Sequence, residues 1–265
     1  MKTRIVTGVV AGALFITFLL LGGYWFAGLV LGLAVVGLGE YLRMYKLRNH
    51  FPLFVIGFIF MVTFVFMANT ELFSGKLGLI GLVWLLLFVL LVTTVATKNK
   101  TTIDQISSVF AGAVYIGLGF HYMIYSRNLE PNGLFWTLLI FVCIWASDSG
   151  AYFAGRAFGK RLLWPTISPN KTIEGALGGI VLAIIAALCF SWAKPELLPL
   201  GNAIYLGAVI AVVGQLGDLI QSAYKRVKGI KDTGNILPGH GGVLDRVDSW
   251  LIVFPFVHLL SLIPI

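Results

Sequence analysis

Charge is scarce in this chain. Asp, Glu, Lys and Arg make up only 11% of its 265 residues while 58% are hydrophobic, against roughly a quarter charged in an ordinary soluble domain. A water-soluble fold of this length could not hide so much apolar surface. Cysteine is nearly missing: Cys143 and Cys189 both fall inside apolar runs, where a small buried residue is expected, so neither a disulfide framework nor a thiolate metal site is implied. No fixed-period repeat and no low-complexity segment is present. No aromatic-studded basic module accompanies the net charge of +8, which argues against a nucleic-acid partner. No Ala-x-Ala-like cleavage site follows the first apolar run, so residues 1–22 read as a retained helix and not a removed leader.

What the chain does have is apolar runs, each long enough to cross a hydrocarbon core of about 30 Å. Hydropathy gives nine: 4–22, 24–43, 51–68, 77–97, 106–126, 133–155, 172–193, 203–224 and 243–263. Only helices satisfy their own backbone bonds in lipid. The expected fold is therefore all-α, a polytopic protein of about nine transmembrane helices whose solvent is the bilayer.

With the N-terminus cytoplasmic and the C-terminus outside, 16 of the 19 Lys and Arg residues fall on the inner side, leaving Lys76, Arg127 and Lys194 outside. That split is what the positive-inside rule demands. The inner connections after spans six and eight are long and rich in Pro, Gly, Lys and Asp, which divides the chain into scaffold spans over 1–132 and chemistry-bearing spans and loops over 133–265. Gly8-x-x-x-Gly12 and Gly28-x-x-x-Gly32 in the scaffold would allow close helix packing, within the bundle or across a homodimer. Glu40 is the only acid in the first four spans, near a cytoplasmic end from which it is expected to reach water.

Acids inside apolar spans are the informative anomaly, because an Asp at a helix centre disfavours insertion by about 2.5–3.5 kcal/mol. Asp148 is the first, in span six, with Tyr152 four residues on and on the same helix face. The second constellation is Ser168-Pro169-Asn170-Lys171-Thr172-Ile173-Glu174-Gly175. Ser followed by Pro reads as a cap and first helical turn, an anion-favouring terminus to which Lys171 adds a full charge, and Glu174 is a natural partner for Lys171. The third lies in span eight, where Asp218, Gln221, Ser222 and Lys225 line one helix face and Arg226 follows.

From there the polar stripe continues through Lys231, Asp232, His240, Gly241 and Gly242 to Asp245, Arg246 and Asp248. The paired glycines allow close backbone approach to a ligand. Carboxylates beside a water-accessible cleft suit Mg2+, which takes one or two of them plus waters and phosphates. Carboxylates for a cation among many cations for anions form the inventory of a polyphosphate site. His50, His121 and His258 stand alone and read as packed side chains.

The run Ser222-x-x-Lys225-Arg226, Lys231-Asp232-x-Gly234 and Leu237-Pro238-x-His240-Gly241-Gly242-x-x-Asp245-Arg246-x-Asp248 resembles the signature of the phosphatidate cytidylyltransferases, or CDP-diacylglycerol synthases. The blocks from Trp145 to Tyr152 and from Ser168 to Gly175 also resemble that family, so the likeness covers roughly residues 145–250. Gln221 departs from it, since many members carry Glu there, and receives no acid's role.

The resemblance implies transfer of CMP from CTP to phosphatidate in the cytoplasmic membrane, with Mg2+ and sometimes a potassium ion. Asp218 and Asp245 are then the expected metal ligands, with Asp148 and Asp248 as further ligands or orienters. Lys171, Lys225, Arg226, Lys231 and Arg246 would serve the pyrophosphate and the lipid phosphate. Ser168, Asn170, Thr172, Glu174, Ser222, Asp232, His240, Gly241, Gly242 and Tyr152 complete the expected substrate contacts. Two other readings use the same inventory: a CTP-dependent polyprenol-type lipid kinase, and an ion-coupled transporter. The transporter fits less well, because the acids lie toward the inner ends and the first half carries no counterpart.

Overall fold

The computed structural model describes residues 2–47, 50–67, 78–236, 239 and 241–264, with side chains from Val6 onward. Among the described residues the chain forms nine helices and one two-stranded hairpin: α1 (Lys2–Leu21), α2 (Gly23–Met44), α3 (Phe51–Phe66), α4 (Leu79–Ala96), α5 (Ile103–Asn128), α6 (Gly133–Phe158), β1 (Leu162–Trp164), β2 (Ser168–Thr172), α7 (Ile173–Ala193), α8 (Leu200–Val227) and α9 (Leu244–Leu259). Each expected apolar run holds one helix. Six of them, α2 and α4 to α8, are long and apolar enough to cross a membrane, with the apolar stretches Val6–Leu21 and Phe51–Phe66 shorter. The protein is a helical, multi-pass membrane protein.

Exposed faces are apolar, as lipid-facing helices require. On α4, Ile80, Trp84, Phe88 and Val92 recur every four residues and are exposed, while Leu82, Leu86 and Leu90 are buried on the opposite side. Without hydration to drive helices together, packing must come from close contact.

The chain divides into two compact units, Met1–Tyr125 with Asp232–Leu244, and Ser126–Lys231 with Asp245–Ile265. In the first unit, Gly22 and Gly23 adopt positive φ values of 67° and 50°, letting α1 turn directly into α2. Its core is formed by Phe26, Leu38, Leu42, Met61, Phe64, Leu86, Leu90 and Phe120. A Cβ at Gly117 would lie 2.8 Å from the Phe64 Cβ, so α5 meets α3 where it has no side chain. Of the two expected uses of the Gly-x-x-x-Gly spacings, packing within the bundle finds no neighbour: among the described residues a Cβ at Gly12, Gly28 or Gly32 would meet nothing within 4 Å.

The second unit is built on α6, α7 and α8. A Cβ at Gly150 would lie 2.6 Å from the Gly178 carbonyl oxygen, at Gly175 2.8 Å from that of Ala151, and at Gly207 2.8 Å from the Ile184 Cα. The backbones of α6, α7 and α8 thus pack almost directly on one another. Phe141 of α6 stacks edge-on against Trp250 of α9 at 4.9 Å between ring centroids, and a Cβ at Gly217 of α8 would lie 2.9 Å from the Asp248 carbonyl oxygen. Ser126 and His258 form a buried 2.7 Å hydrogen bond, in keeping with a packed histidine. Cys143 is buried, whereas Cys189 is exposed on α7, contrary to expectation.

The helix start read at Ser168-Pro169 is not where α7 begins. Ser168 to Thr172 form β2, paired antiparallel to β1 with Trp164 opposite Ser168 and Leu162 opposite Thr172. A residue before proline is pushed toward extended backbone, and the partner strand completes that preference. Thr172, itself extended at φ −120°, is the cap: its Oγ1 accepts from the Gly175 amide.

Candidate active site

At the end of α6 the chain reverses through the hairpin, and two side chains hold that reversal. Glu174 Oε2 accepts from the amides of Lys160 at 3.0 Å and Arg161 at 3.2 Å. Arg226, in the last turn of α8, donates its Nε to the Ile167 carbonyl at 3.1 Å. The expected Glu174–Lys171 pairing is therefore replaced: Glu174 organises backbone, and Lys171, near the end of β2, forms an ion pair with Asp218 Oδ2 on α8. Ser222, one turn beyond Asp218, reaches its Oδ1 at 3.4 Å, at the long edge of hydrogen bonding.

Two turns along the same face of α8, about 10 Å by helical rise, Lys225 Nζ lies 2.7 Å from Asp245 Oδ1 at the start of α9. The two pairs differ in environment. Side-chain exposure is 29% and 37% for Lys171 and Asp218 but only 12% and 3% for Lys225 and Asp245. With 28 residues, α8 is about 42 Å long against a hydrocarbon core of about 30 Å. Its last turns, which carry Lys225 and Arg226, can therefore stand beyond the core.

Asp148 on α6 and Asp248 on α9 complete the acidic cluster. Asp148 feels the charges of Asp218 and Lys171, and Asp248 feels those of Asp218, Asp148 and Lys225. Neither lies within ion-pair distance of a cation among the described residues. Asp248 is buried and accepts from the Ser249 amide at 2.8 Å. Of the four carboxylates on these three helices, Asp218 and Asp245 are thus paired with ammonium groups.

Among the described residues, no three acidic, His or Cys side chains close around a point as a ready-made metal cage. Mg2+ does not need one, since one or two carboxylates plus waters and substrate phosphates suffice. The excess of carboxylate over ammonium is a charge balance that a hard divalent cation would offset, and Asp218 and Asp245 could each offer it an oxygen.

Of the remaining expected contacts, Tyr152 is exposed and accepts from Arg156 at 3.3 Å. Asn170, Lys231, Asp232 and Arg246 are exposed and Ser168 is half-buried. Gln221, on α8, is fully buried, and neither of its amide atoms has a hydrogen-bond partner among the described residues. His240 lies outside the described residues. In the first unit, Gly242 approaches Glu40 and Thr233 so closely that a Cβ there would collide with both. Contrary to the expectation from sequence, Glu40 is only 2% exposed and does not reach water. Its signal was its solitude, the one acid of the first four spans.

Fold and site together define a helical, multi-pass membrane protein that carries four aspartates on α6, α8 and α9, two of them paired with lysines. The chain matches the cytidylyltransferase family model across residues 2–263. It is 42% identical over 261 residues to a phosphatidate cytidylyltransferase of Bacillus subtilis, covering 98% of this chain and 97% of that protein. Phosphatidate cytidylyltransferases of Staphylococcus haemolyticus and Staphylococcus epidermidis are 34% and 35% identical, each alignment covering 98% of both proteins. The chain belongs to the cytidylyltransferase family.

Proposed function

We propose that this protein transfers CMP from CTP to phosphatidate, producing CDP-diacylglycerol and pyrophosphate for phospholipid synthesis. The observation that carries the reading is the pair of Lys–Asp contacts two turns apart on α8, beside further carboxylates, in a chain matching curated phosphatidate cytidylyltransferases from end to end.

In the reaction a phosphatidate phosphate oxygen forms a bond to the α-phosphorus of CTP. The bond from that phosphorus to the α,β-bridging oxygen breaks, and pyrophosphate leaves with the electron pair. The nucleophile is already ionised at neutral pH, so no strong general base is required. The barrier lies in bringing anions together and stabilising charge on the leaving group. Lys171 and Lys225 meet that need as ammonium groups held by Asp218 and Asp245 until phosphate oxygens compete for them. Arg226, Lys231 and Arg246 add cations for the pyrophosphate and lipid phosphate, and Ser222, Asp232 and Gly241 add polar contacts by their place in the motif. Bound Mg2+, held by Asp218 and Asp245 with Asp148 and Asp248 as further ligands or orienters, would polarise the α-phosphorus and offset phosphate charge.

The proposed topology has nine spans, a cytoplasmic N-terminus and an outer C-terminus in the cytoplasmic membrane. It follows from the basic-residue split and lets CTP arrive from the cytoplasm while the lipid stays in its leaflet. A homodimer is supported by Gly28 and Gly32, four apart on α2 with open space around both.

CTP carrying label on the α-phosphorus, incubated with purified protein, phosphatidate and Mg2+, is expected to deliver that label to lipid, and EDTA is expected to abolish delivery. Transfer of γ-label alone would refute the proposal in favour of a CTP-dependent kinase.

A further inference from the structure

Glu40 is a buried carboxylate in α2 whose partners lie some two hundred residues away. Its Oε2 accepts from the Thr233 hydroxyl and from the Leu244 amide, each at 3.0 Å, and its Oε1 accepts from the Val243 amide at 3.0 Å. Gly234 and Gly242 crowd the same carboxylate, and a Cβ on either would collide with it. All of these residues belong to the first unit. Among the described residues its neighbours are neutral N–H and O–H donors, so the burial cost of the charge is met by charge-assisted hydrogen bonds and not by a cation.

The position of those donors gives the contact its meaning. Helix α9 begins at Leu244, and the first amides of a helix have no partner within it. Such amides are ordinarily capped by a side chain just upstream in sequence. Here Glu40 does that work from a distant helix. Asp245, the residue that pairs with Lys225, is the second residue of α9, in the turn that frays first when its cap is lost.

We propose that Glu40 is a positioning residue for the transferase: by holding the Thr233 hydroxyl and the amides of Val243 and Leu244, it keeps the first turn of α9 formed and so keeps Asp245 in place. Gly234 and Gly242 then serve as the clearance that admits the carboxylate. The kinetic part of this inference rests on the transferase reading; the structural part does not.

The test compares full-length wild type with Glu40→Gln, Glu40→Ala and Thr233→Val, using hydrogen exchange and steady-state kinetics. Glu40→Ala is expected to lose protection locally at residues 243–246 and to lower kcat on the order of 10–100-fold, the range seen when an outer-shell partner of a metal-site ligand is removed. KM for CTP is expected to hold. Glu40→Gln, which keeps one acceptor oxygen, is expected to retain more activity than Glu40→Ala. Thr233→Val removes a single donor and covers the case in which neither Glu40 variant folds; it is expected to show a smaller loss of the same kind. Wild-type kcat in folded variants, unchanged protection at 243–246, or activity lost only in step with protection throughout the first five helices would each overturn the proposal. Exchange needs no turnover, so a wild type that moves no α-label would defeat the transferase reading while the clamp was still being measured.

Discussion

The two Lys–Asp pairs respond differently to the loss of one partner, and their exposures fix the difference. Asp245→Asn leaves the Lys225 ammonium, 12% exposed, facing a neutral amide. Removing one member of a buried pair costs about 3–5 kcal/mol, most of it the penalty for the charge left behind. Lys225 sits near the end of α8 and can swing part of its length toward water, so the lower end of that range, about 3 kcal/mol, is the expected loss. Asp218→Asn breaks a pair whose members are 29% and 37% exposed, and pairs with that access to water are worth about 0–1 kcal/mol. Both variants are expected to abolish turnover, yet only Asp245→Asn should unfold measurably more easily. Reversible unfolding in mixed micelles, run as two double-mutant cycles with Lys225→Met and Lys171→Met, isolates each coupling. Equal destabilisation by the two Asn variants, or a Lys225–Asp245 coupling no larger than the Lys171–Asp218 coupling, would refute the reasoning from exposure.

Two further outcomes can be checked directly. Gly178→Val is expected to destabilise the second unit by at least about 1–3 kcal/mol, the usual cost of overpacking, because a Cβ there would collide with that of Ala154; thermal aggregation of the detergent-solubilised protein reads it, and a wild-type melting profile would mean that α6 and α7 can separate without cost. For topology, single cysteines at Lys194 and Lys100, in a chain whose Cys143 and Cys189 are replaced by Ala, should react with an impermeant maleimide from outside and inside respectively, and the reverse pattern would invert the orientation.

Long apolar runs were legible because lipid admits one backbone solution, so hydropathy alone located a helix in every expected segment. The acids were legible for a related reason: a charge is costly in such a segment, and Asp148, Asp218, Asp245 and Asp248 stood out against their surroundings. Pairing was less legible. Glu174 lies three residues from Lys171 and seemed its partner, but the hairpin turns Lys171 toward Asp218 and leaves Glu174 to the amides of Lys160 and Arg161. That outcome depends on Leu162 meeting Thr172 across the strands, which no local rule at Ser168-Pro169 encodes. Glycine spacing was legible only in part. A small-residue pattern says that close approach is allowed, not that a neighbour is there, so Gly28 and Gly32 stand open while Gly150 and Gly178 hold α6 against α7.

Glu40 shows why the remaining gap is physical and not a matter of missing motifs. A carboxylate in an apolar helix has two ways to avoid its desolvation penalty, water or donors, and sequence distance hides the second when the donors lie 203 and 204 residues away. Glu40 of α2 supplies the acceptors for the Val243 and Leu244 amides, where α9 begins. A chain cut to its motif-bearing second half would keep every signature carboxylate and lysine, yet it would expose two uncapped amides at the start of α9.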